Sequence, residues 1–577
     1  MLSRARKQKL LKQAQESNEP TVNTPKSMKS WFKPYPHQAA AVNRLLSNDG
    51  NLILAHEVGT GKTVSGILGF EKLKEEGKAR KAIVVVPAGL RENFARGGLE
   101  KFLNKPNFQI IGSTSEKGMK DYVRPNAATP DKNYTIVSYA MFLRNKDQIL
   151  QQTGADTLIF DEFHRARNES GGVFQNSVAA RKQVRNFIGL TGSLVSNSPG
   201  EIASLLNIST GTRYMSPSQF KQRYTKVVGY ETGFGGKKKQ LRGIQRKPEL
   251  VTLVDPRVHY MTSKELQGKS MPRKDISFVD VPMSREQYSM YNLAMDKVGP
   301  AKELVMRRDP SVIVKDIDPS LVFAQLAHAR QISNSMAVAR QMPLEQAAQV
   351  TPKVKKLIDD TISHLQETPD GKVIVYSNLI RGGVDVLDAG LRARGLDPAL
   401  FVGKGTEIGK NKVTTQTRTK GVSDFKAGKK KVIIISGAGA EGLNLPNATA
   451  FHALDGHFNP ERILQAEARG RRLGGQSHRP PEQRKIQVRR YRNVAPPGIK
   501  DRTTDQWVYD TARRKYMQNQ EFYQTIQKPT KYIRKFKDPM TGKWRYEYPK
   551  QPGKPRMVSK AFTHALTPKA PRVQQPN

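Results

Sequence analysis

No cysteine occurs in the 577 residues, which excludes disulfides, thiolate metal sites and a cysteine nucleophile. The absence suits a reducing compartment without requiring one. Acidic residues are scarce too: 51 Asp and Glu stand against 97 Lys and Arg, a formal net charge of +46. That excess exceeds what solubility needs and attracts polyanions, nucleic acid first among them. No uninterrupted apolar run approaches the roughly 20 residues of a membrane-spanning helix, and no secretory pattern opens the chain. An intracellular protein without a membrane partner is expected.

The length implies about two or three domains. Residues 1–30 begin as a basic helical pattern and end in Pro, Ser, Thr and Asn, the composition of a mobile arm. From 31 to 208 short β-rich runs alternate with helical stretches: NLILA (51–55), KAIVVVP (81–87), YTIVSY (134–139), TLIFDE (157–162) and NFIGLT (186–191). Runs that are apolar on both faces and separated by helices predict a parallel sheet covered on both sides. Residues 209–350 read as a helical insertion and linker with a Gly/Lys-rich loop, ETGFGGKKKQ. The alternation resumes over 351–495, with strands at KVIVYS (372–377), ALFVG (399–403), KVIIIS (431–436), TAFHAL (449–454) and IQVRRYR (486–492). Residues 496–577 read as a helical brace followed by a basic, aromatic tail.

The chemistry starts in HEVGTGKT (56–63). Gly59 and Gly61 allow backbone N–H groups to turn around phosphate oxygens at the start of a helix, whose positive end favours the same anion. Lys62 would reach the β and γ phosphates and Thr63 would ligate Mg²⁺. The plainer reading is a Gly-rich turn that happens to precede a lysine. TLIFDEFH then places Asp161 and Glu162 at the end of an apolar run. There an aspartate holds the metal and the neighbouring glutamate orients and deprotonates the attacking water.

These segments, in this order, resemble the SWI/SNF-like branch of the superfamily II helicases and translocases. KPYPHQ, with Gln38, resembles the adenine-reading segment ahead of the phosphate loop. VVVPAGLRENF is similar to motif Ia, IVSYAMF to motif Ib, DEFHRARN to the DEAH box, and GLTGSLVSNSPGEIASLL to motif III. In the second half KVIVYSN resembles motif IV, SGAGAEGLNLPNAT motif V, and ALDGHFNPERILQAEARGRRLGGQ motif VI. The resemblance implies an α/β fold of two RecA-like parallel-sheet lobes, with a helical insertion between them and basic extensions at both ends. It implies a nucleotide site of Gln38, Glu57, Gly59, Thr60, Gly61, Lys62, Thr63 and Gln465, with ATP and Mg²⁺ bound. It also implies backbone contacts to nucleic acid from Pro87, Ser138, Thr191, Ser436 and Asn444.

Arg469 and Arg472 are three apart, so on a helix they share a face. Two guanidinium groups from the second lobe would then stabilise transition-state charge on a phosphate held by the first. Arg462 and Arg471 fit a plainer role on the phosphate backbone. Gln287 and Tyr291 match a structural pair of the same branch. Several positions depart from the pattern: Ser193 and Leu194 replace Thr-Pro, Phe163 replaces a small residue, and His56 replaces Asp. His56 raises the expectation of an ATP affinity that depends on pH near 6 to 7.

The function implied is an ATP-dependent, nucleic-acid-stimulated motor that translocates on DNA, with duplex favoured, and remodels DNA or protein–DNA complexes. A strand-separating DNA or RNA helicase and a non-catalytic nucleic-acid scaffold are the other readings. Two readings also stand for the basic loop around Lys237 to Lys239, DNA contact or a solvated loop. Tyr532, Phe536, Trp544, Tyr546 and Tyr548 either stack on exposed bases or pack a small hairpin around DPMTGK.

Overall fold

The computed structural model describes residues 20–550, leaving out 114–115, 117, 233–237, 267–270, 300, 307–318, 410, 438–442, 528–529 and 538–543. Alternation along the apolar runs builds the first lobe. Ile53, Ala55, Ile83 and Val85 enter one core, whereas Leu52, Leu54, Val84 and Val86 enter a second. A strand buried on both faces must be covered on both, and the intervening helices cover it. The strands are β1 (Asn51–His56), β2 (Ala82–Val86), β3 (Phe108–Ile111), β4 (Tyr122–Val123), β5 (Tyr134–Ser138), β6 (Thr157–Asp161) and β7 (Asn186–Thr191). A pair, β8 (Thr225–Thr232) and β9 (Lys238–Ile244), precedes β10 (Val258–Met261). The sheet runs β10-β1-β7-β6-β2-β5-β3-β4 with every pairing parallel. Parallel strands bring their carboxyl ends to one edge, where α/β folds bind ligands. The phosphate loop follows β1, the acidic pair closes β6, and residues 192–197 follow β7.

The second lobe repeats the plan with β11 (Arg273–Pro282), β12 (Val373–Ser377), β13 (Ala399–Phe401), the short pair β14 (Glu407–Ile408) and β15 (Asn411–Lys412), β16 (Val432–Ser436), β17 (Ala450–Ala453) and β18 (Lys485–Val494). Its parallel sheet runs β11-β18-β17-β12-β16-β13. Val373 and Val375 face one core and Ile374 and Tyr376 the other.

The stretch 209–350 is not the purely helical insertion that its polar sequence suggested. Helices at Arg285–Asp296 and Pro319–Asn334 are present, but four strands lie there as well. β10 extends the first sheet, with Ile53 opposite Val258. β11 pairs with β18 from Arg273–Lys485 to Pro282–Val494 and so belongs to the second lobe's sheet. Both are edge strands, and an edge strand lacks the continuous apolar run that marks an interior one. The described ends of the Gly/Lys-rich segment are strand, since β8 and β9 pair antiparallel from Thr225–Ile244 to Thr232–Lys238. Its centre, 233–237, is outside the described residues. Gln287 and Tyr291 are structural as expected: the Gln287 amide donates to the carbonyls of Ile332 (3.0 Å) and Ser333 (3.1 Å), and the Tyr291 hydroxyl accepts from the Thr504 N–H (2.8 Å).

The arm also differs. Residues 1–19 are outside the description, but from Pro20 the chain lies against the first lobe. Met28 is buried, Lys29 N–H donates to the Phe102 carbonyl (2.9 Å), and Asn104 Nδ2 donates to the Met28 carbonyl (2.8 Å). At the other end, the helix Thr504–Ile526 joins both lobes. Tyr509 enters the second lobe's core, and Phe522, Tyr523 and Ile526 enter the first lobe's. Beyond it, β19 (Thr530–Lys537) and β20 (Trp544–Lys550) pair antiparallel with Tyr532 opposite Tyr548. The expected turn, 538–543, and the tail from 551 are outside the described residues.

Candidate nucleotide-binding and hydrolysis site

The phosphate loop requires its glycines. Gly59 and Gly61 adopt φ of +91° and +82°, left-handed values that glycine enters without strain. A Cβ at Gly59 would also stand 2.4 Å from the Arg471 carbonyl, and one at Gly61 2.8 Å from Gln38 Nε2. Gly61 caps the helix Lys62–Glu75, so Lys62 and Thr63 occupy its first turn. Thr60 is fully buried and its hydroxyl donates to the Glu57 carbonyl (2.7 Å). Behind the loop, His37 Nε2 lies 2.9 Å from the Thr60 carbonyl.

At the end of β6 the acidic pair meets the lysine. Lys62 Nζ donates to Glu162 Oε1 at 3.0 Å. Asp161 Oδ1 accepts from the Glu162 N–H (3.0 Å). Burial and the adjacent Glu162 charge raise the Asp161 carboxyl above its ordinary range. Burial acts on Glu162 in the same sense, but Lys62, His164 and Arg469 outweigh it and keep that carboxylate ionised. Glu162 has φ of +50°, an uncommon conformation for a residue with a side chain, of the kind found at active sites. His164 Nδ1 lies 3.4 Å from Glu162 Oε2 and 3.2 Å from Thr191 Oγ1. Phe163 fits because Gly189 faces it: a Cβ there would stand 2.7 Å from Phe163 Cδ1.

The arginines come from the second lobe, just beyond the helix Pro460–Glu467, in the turn and loop that follow it and not on one helical face as their spacing suggested. Leu473 N–H donates to the Gly59 carbonyl (3.1 Å), which seats this segment on the phosphate loop. The charge of Arg469 acts on both Asp161 and Glu162, and that of Arg472 on Glu162. Burial and the neighbouring Arg469 push Arg472 down to about 9. Its Nη2 donates to the Leu443 carbonyl (2.7 Å), while its buried Nε has no hydrogen-bond partner among the described residues. Two neighbouring guanidinium groups, Arg469 buried and Arg472 half-buried, whose charge reaches the Glu162 that Lys62 holds, suit a polyanion such as a triphosphate. Among the described residues no group of three or more His, Asp or Glu is placed to hold a metal ion. Thr63, in the first turn of the helix after the phosphate loop, and Asp161, at the end of β6, are the residues that could hold Mg²⁺, a cation that takes one or two protein oxygens besides phosphates and water.

Other expected residues sit differently. Glu57 Oε2 accepts from the Ser263 N–H (2.9 Å) and so holds the linker; beside phosphates its charge would repel. Gln38 accepts from Tyr35 N–H (3.0 Å) and donates to the Gly61 carbonyl (3.4 Å), which ties its helix to the loop. Gln465 lines a cavity of about 160 Å³ between the lobes, together with Glu57, Val58, Ser193, Glu461 and Arg471. Arg471 is no phosphate-backbone residue: it is buried, and donates to the Pro272 carbonyl (2.7 Å) and Ser263 Oγ (2.8 Å). His56 is fully buried with Nε2 2.8 Å from His259 Nδ1. Burial and the nearby His259, His37 and Lys62 push it well below its ordinary value, so it does not titrate near pH 6 to 7.

Of the residues expected on nucleic acid, Pro87, Ser138 and Ser436 lie at or just beyond the carboxyl ends of β2, β5 and β16, and all three are buried. Ser138 caps the following helix by accepting from the Met141 N–H. Thr191 is fully buried and donates to the Ser193 carbonyl (2.7 Å), so its side chain is internal. Asn444 is exposed, next to residues 438–442, which are outside the description. Sequence reasoning missed Glu461, Ser193, Ser196 and Tyr523, which join the lobes at the loop after β7. Ser193 and Leu194 were visible as departures from the family pattern; Glu461 and Tyr523 carried no signal.

A family model described as the SNF2-related domain matches residues 37–338, and the helicase conserved C-terminal domain matches residues 353–474. The "Uncharacterized ATP-dependent helicase YqhH" of Bacillus subtilis is 24% identical over 463 residues, covering 77% of this chain and 73% of the relative. "Protein CHROMATIN REMODELING 4" of Arabidopsis thaliana is 24% identical over 521 residues, covering 85% of this chain but 21% of that much longer protein. The "Putative ATP-dependent RNA helicase L538" of Acanthamoeba polyphaga mimivirus is 22% identical over 485 residues, covering 83% of this chain and 93% of the relative. With one family model matching more than half of its length, the chain belongs to the SNF2-related family and is an ATPase of the superfamily II helicase type.

Proposed function

We propose that this ATPase is a motor that translocates on duplex DNA and remodels DNA or protein–DNA complexes. The observation that carries the reading is the meeting across the lobes of Arg469 and Arg472 with the Lys62–Glu162 pair. A site completed only when two lobes close converts nucleotide binding and hydrolysis into closing and opening. Lys62 binds the terminal phosphates, replacing its bond to Glu162, and the released Glu162 orients the attacking water. Thr63 and Asp161 would hold Mg²⁺, which would supply positive charge against the phosphates. Arg469 and Arg472 stabilise the charge that develops in transfer.

The net charge of +46 supports a polyanionic track. The Arabidopsis relative is named for chromatin remodelling, which favours DNA, and the viral relative is named as an RNA helicase, which makes RNA the competing track. ATP hydrolysis measured with duplex DNA, single strands and RNA separates these, and triplex displacement tests movement. Duplex DNA is expected to stimulate most and to support displacement without strand separation. Lys62→Ala is expected to reduce stimulated hydrolysis at least about 100-fold, an electrostatic loss of roughly 3 kcal/mol. Stimulation confined to RNA, or strand separation without displacement, would replace the translocase with a helicase. Absence of any stimulated hydrolysis would leave the scaffold.

A further inference from the structure

Glu461 is a half-buried carboxylate at the interface of the lobes. It stands in the first turn of the helix Pro460–Glu467 and reaches into the loop after β7 in the other lobe. Its Oε2 accepts from Ser193 Oγ (2.6 Å) and Ser196 Oγ (2.5 Å). Arg167 Nη1 donates to the same Ser196 hydroxyl (2.6 Å), and its charge reaches Glu461. Burying a carboxylate is costly unless donors meet it. Two hydroxyls, a nearby guanidinium and the positive end of its own helix meet this one. Burial nevertheless leaves the carboxyl raised, as befits a group that holds position at some cost to stability.

The chain of contacts continues to the chemistry. Ser193 N–H donates to Thr191 Oγ1 (3.1 Å), Thr191 Oγ1 lies 3.2 Å from His164 Nδ1, and His164 lies 3.4 Å from Glu162. In the other direction, Glu461 opens the helix Pro460–Glu467 and Arg469 stands in the turn just after it. We propose that Glu461 is a positioning residue for ATP hydrolysis: by holding Ser193 and Ser196 it docks its helix, and with it the arginine-bearing segment that follows, on the first lobe, so that Arg469 and Arg472 face Glu162. This rests on the arginine roles proposed above.

The test is steady-state ATP hydrolysis by the full chain with saturating duplex DNA. Glu461→Ala is expected to lower kcat about 10- to 100-fold, the effect of misplacing catalytic groups by about 1 Å, with KM for ATP within about threefold. Ser193→Ala combined with Ser196→Ala should do the same, and adding Glu461→Ala should cost little more, because all three act through one contact. Glu461→Gln, of the same shape and still an acceptor, should recover most of the rate and guards against a folding defect in the alanine variant. In an Arg469→Ala, Arg472→Ala background, Glu461→Ala should have no further effect. An equal fall in that background, or an unchanged kcat in Glu461→Ala, overturns the inference. Wild-type protein that hydrolyses no ATP with any nucleic acid overturns instead the functional reading on which it rests.

Discussion

His56 shows how a single substitution in a recognisable motif is absorbed by its surroundings. The family resemblance puts Asp at this position, and the sequence alone suggested a titrating group near neutrality. The structure surrounds the imidazole with His37 and His259, with ring centroids 5.8 and 5.0 Å away, and burial keeps it neutral. His259 is pushed down to about 3, chiefly by burial. His56→Asp should therefore leave hydrolysis within a few-fold at pH 8. The new carboxylate would raise the adjacent His259 toward neutrality, giving the variant a pH dependence between 6 and 7 that the wild type lacks. Rate profiles of both proteins from pH 6 to 8 test this. A collapse at every pH would show that the imidazole itself is required, and superimposable profiles that His259 does not sense position 56.

At the scale of elements, the loop of residues 192–197 is gripped by two helices. Leu194 and Val195 N–H groups both donate to the Tyr523 hydroxyl (3.0 and 3.2 Å), and Asn519 Nδ2 donates to the Ser196 carbonyl (2.8 Å). The proline usual at 194 in this branch has no N–H to give, so Leu194 and Tyr523 account for each other. Tyr523→Phe leaves two buried donors unmet and should destabilise by about 1 to 3 kcal/mol, read as a lower midpoint in urea unfolding. An unchanged midpoint would mean that the loop finds other acceptors. Such long-range pairings explain what the sequence could and could not show. Most interior strands, the phosphate loop, Asp161 and Glu162 were legible because local periodicity and spacing encode them, and Arg469 and Arg472 were legible through the family resemblance. β3, β10, β11 and Glu461 were not, since a short strand without a long apolar run, a polar edge strand and a lone carboxylate acquire meaning only from partners distant in the chain. Arg471 was misjudged for the same reason: its partners, Pro272 and Ser263, lie about 200 residues away.

For the whole molecule, burial of histidines sets the acid limit. Seven imidazoles are lowered by burial: His37, His56, His164, His259, His364, His452 and His457. His164 and His457 fall to about 4, and His259 and His452 to about 3. A group whose folded pKa is depressed contributes stability above its unfolded pKa and loses it as pH falls toward the folded one. For these histidines the loss begins near 6.5 and continues to about 3 or 4. At pH 5 each of the deepest costs about 2 kcal/mol, because the unfolded chain binds the proton and the folded chain does not. Asp161, Asp385, Asp388 and Glu461 are raised and act in the opposite sense, gaining as pH falls, but they are fewer. The excess of basic charge grows as acids protonate and adds self-repulsion. Thermal unfolding at fixed ionic strength should accordingly show a midpoint that is highest near pH 7 to 8 and falls already between pH 6.5 and 5, above the range in which ordinary carboxylates titrate. A midpoint that stays flat down to pH 4.5 would mean that the histidines are protonated in the folded protein, and that the two lobes hold them less tightly than their burial implies.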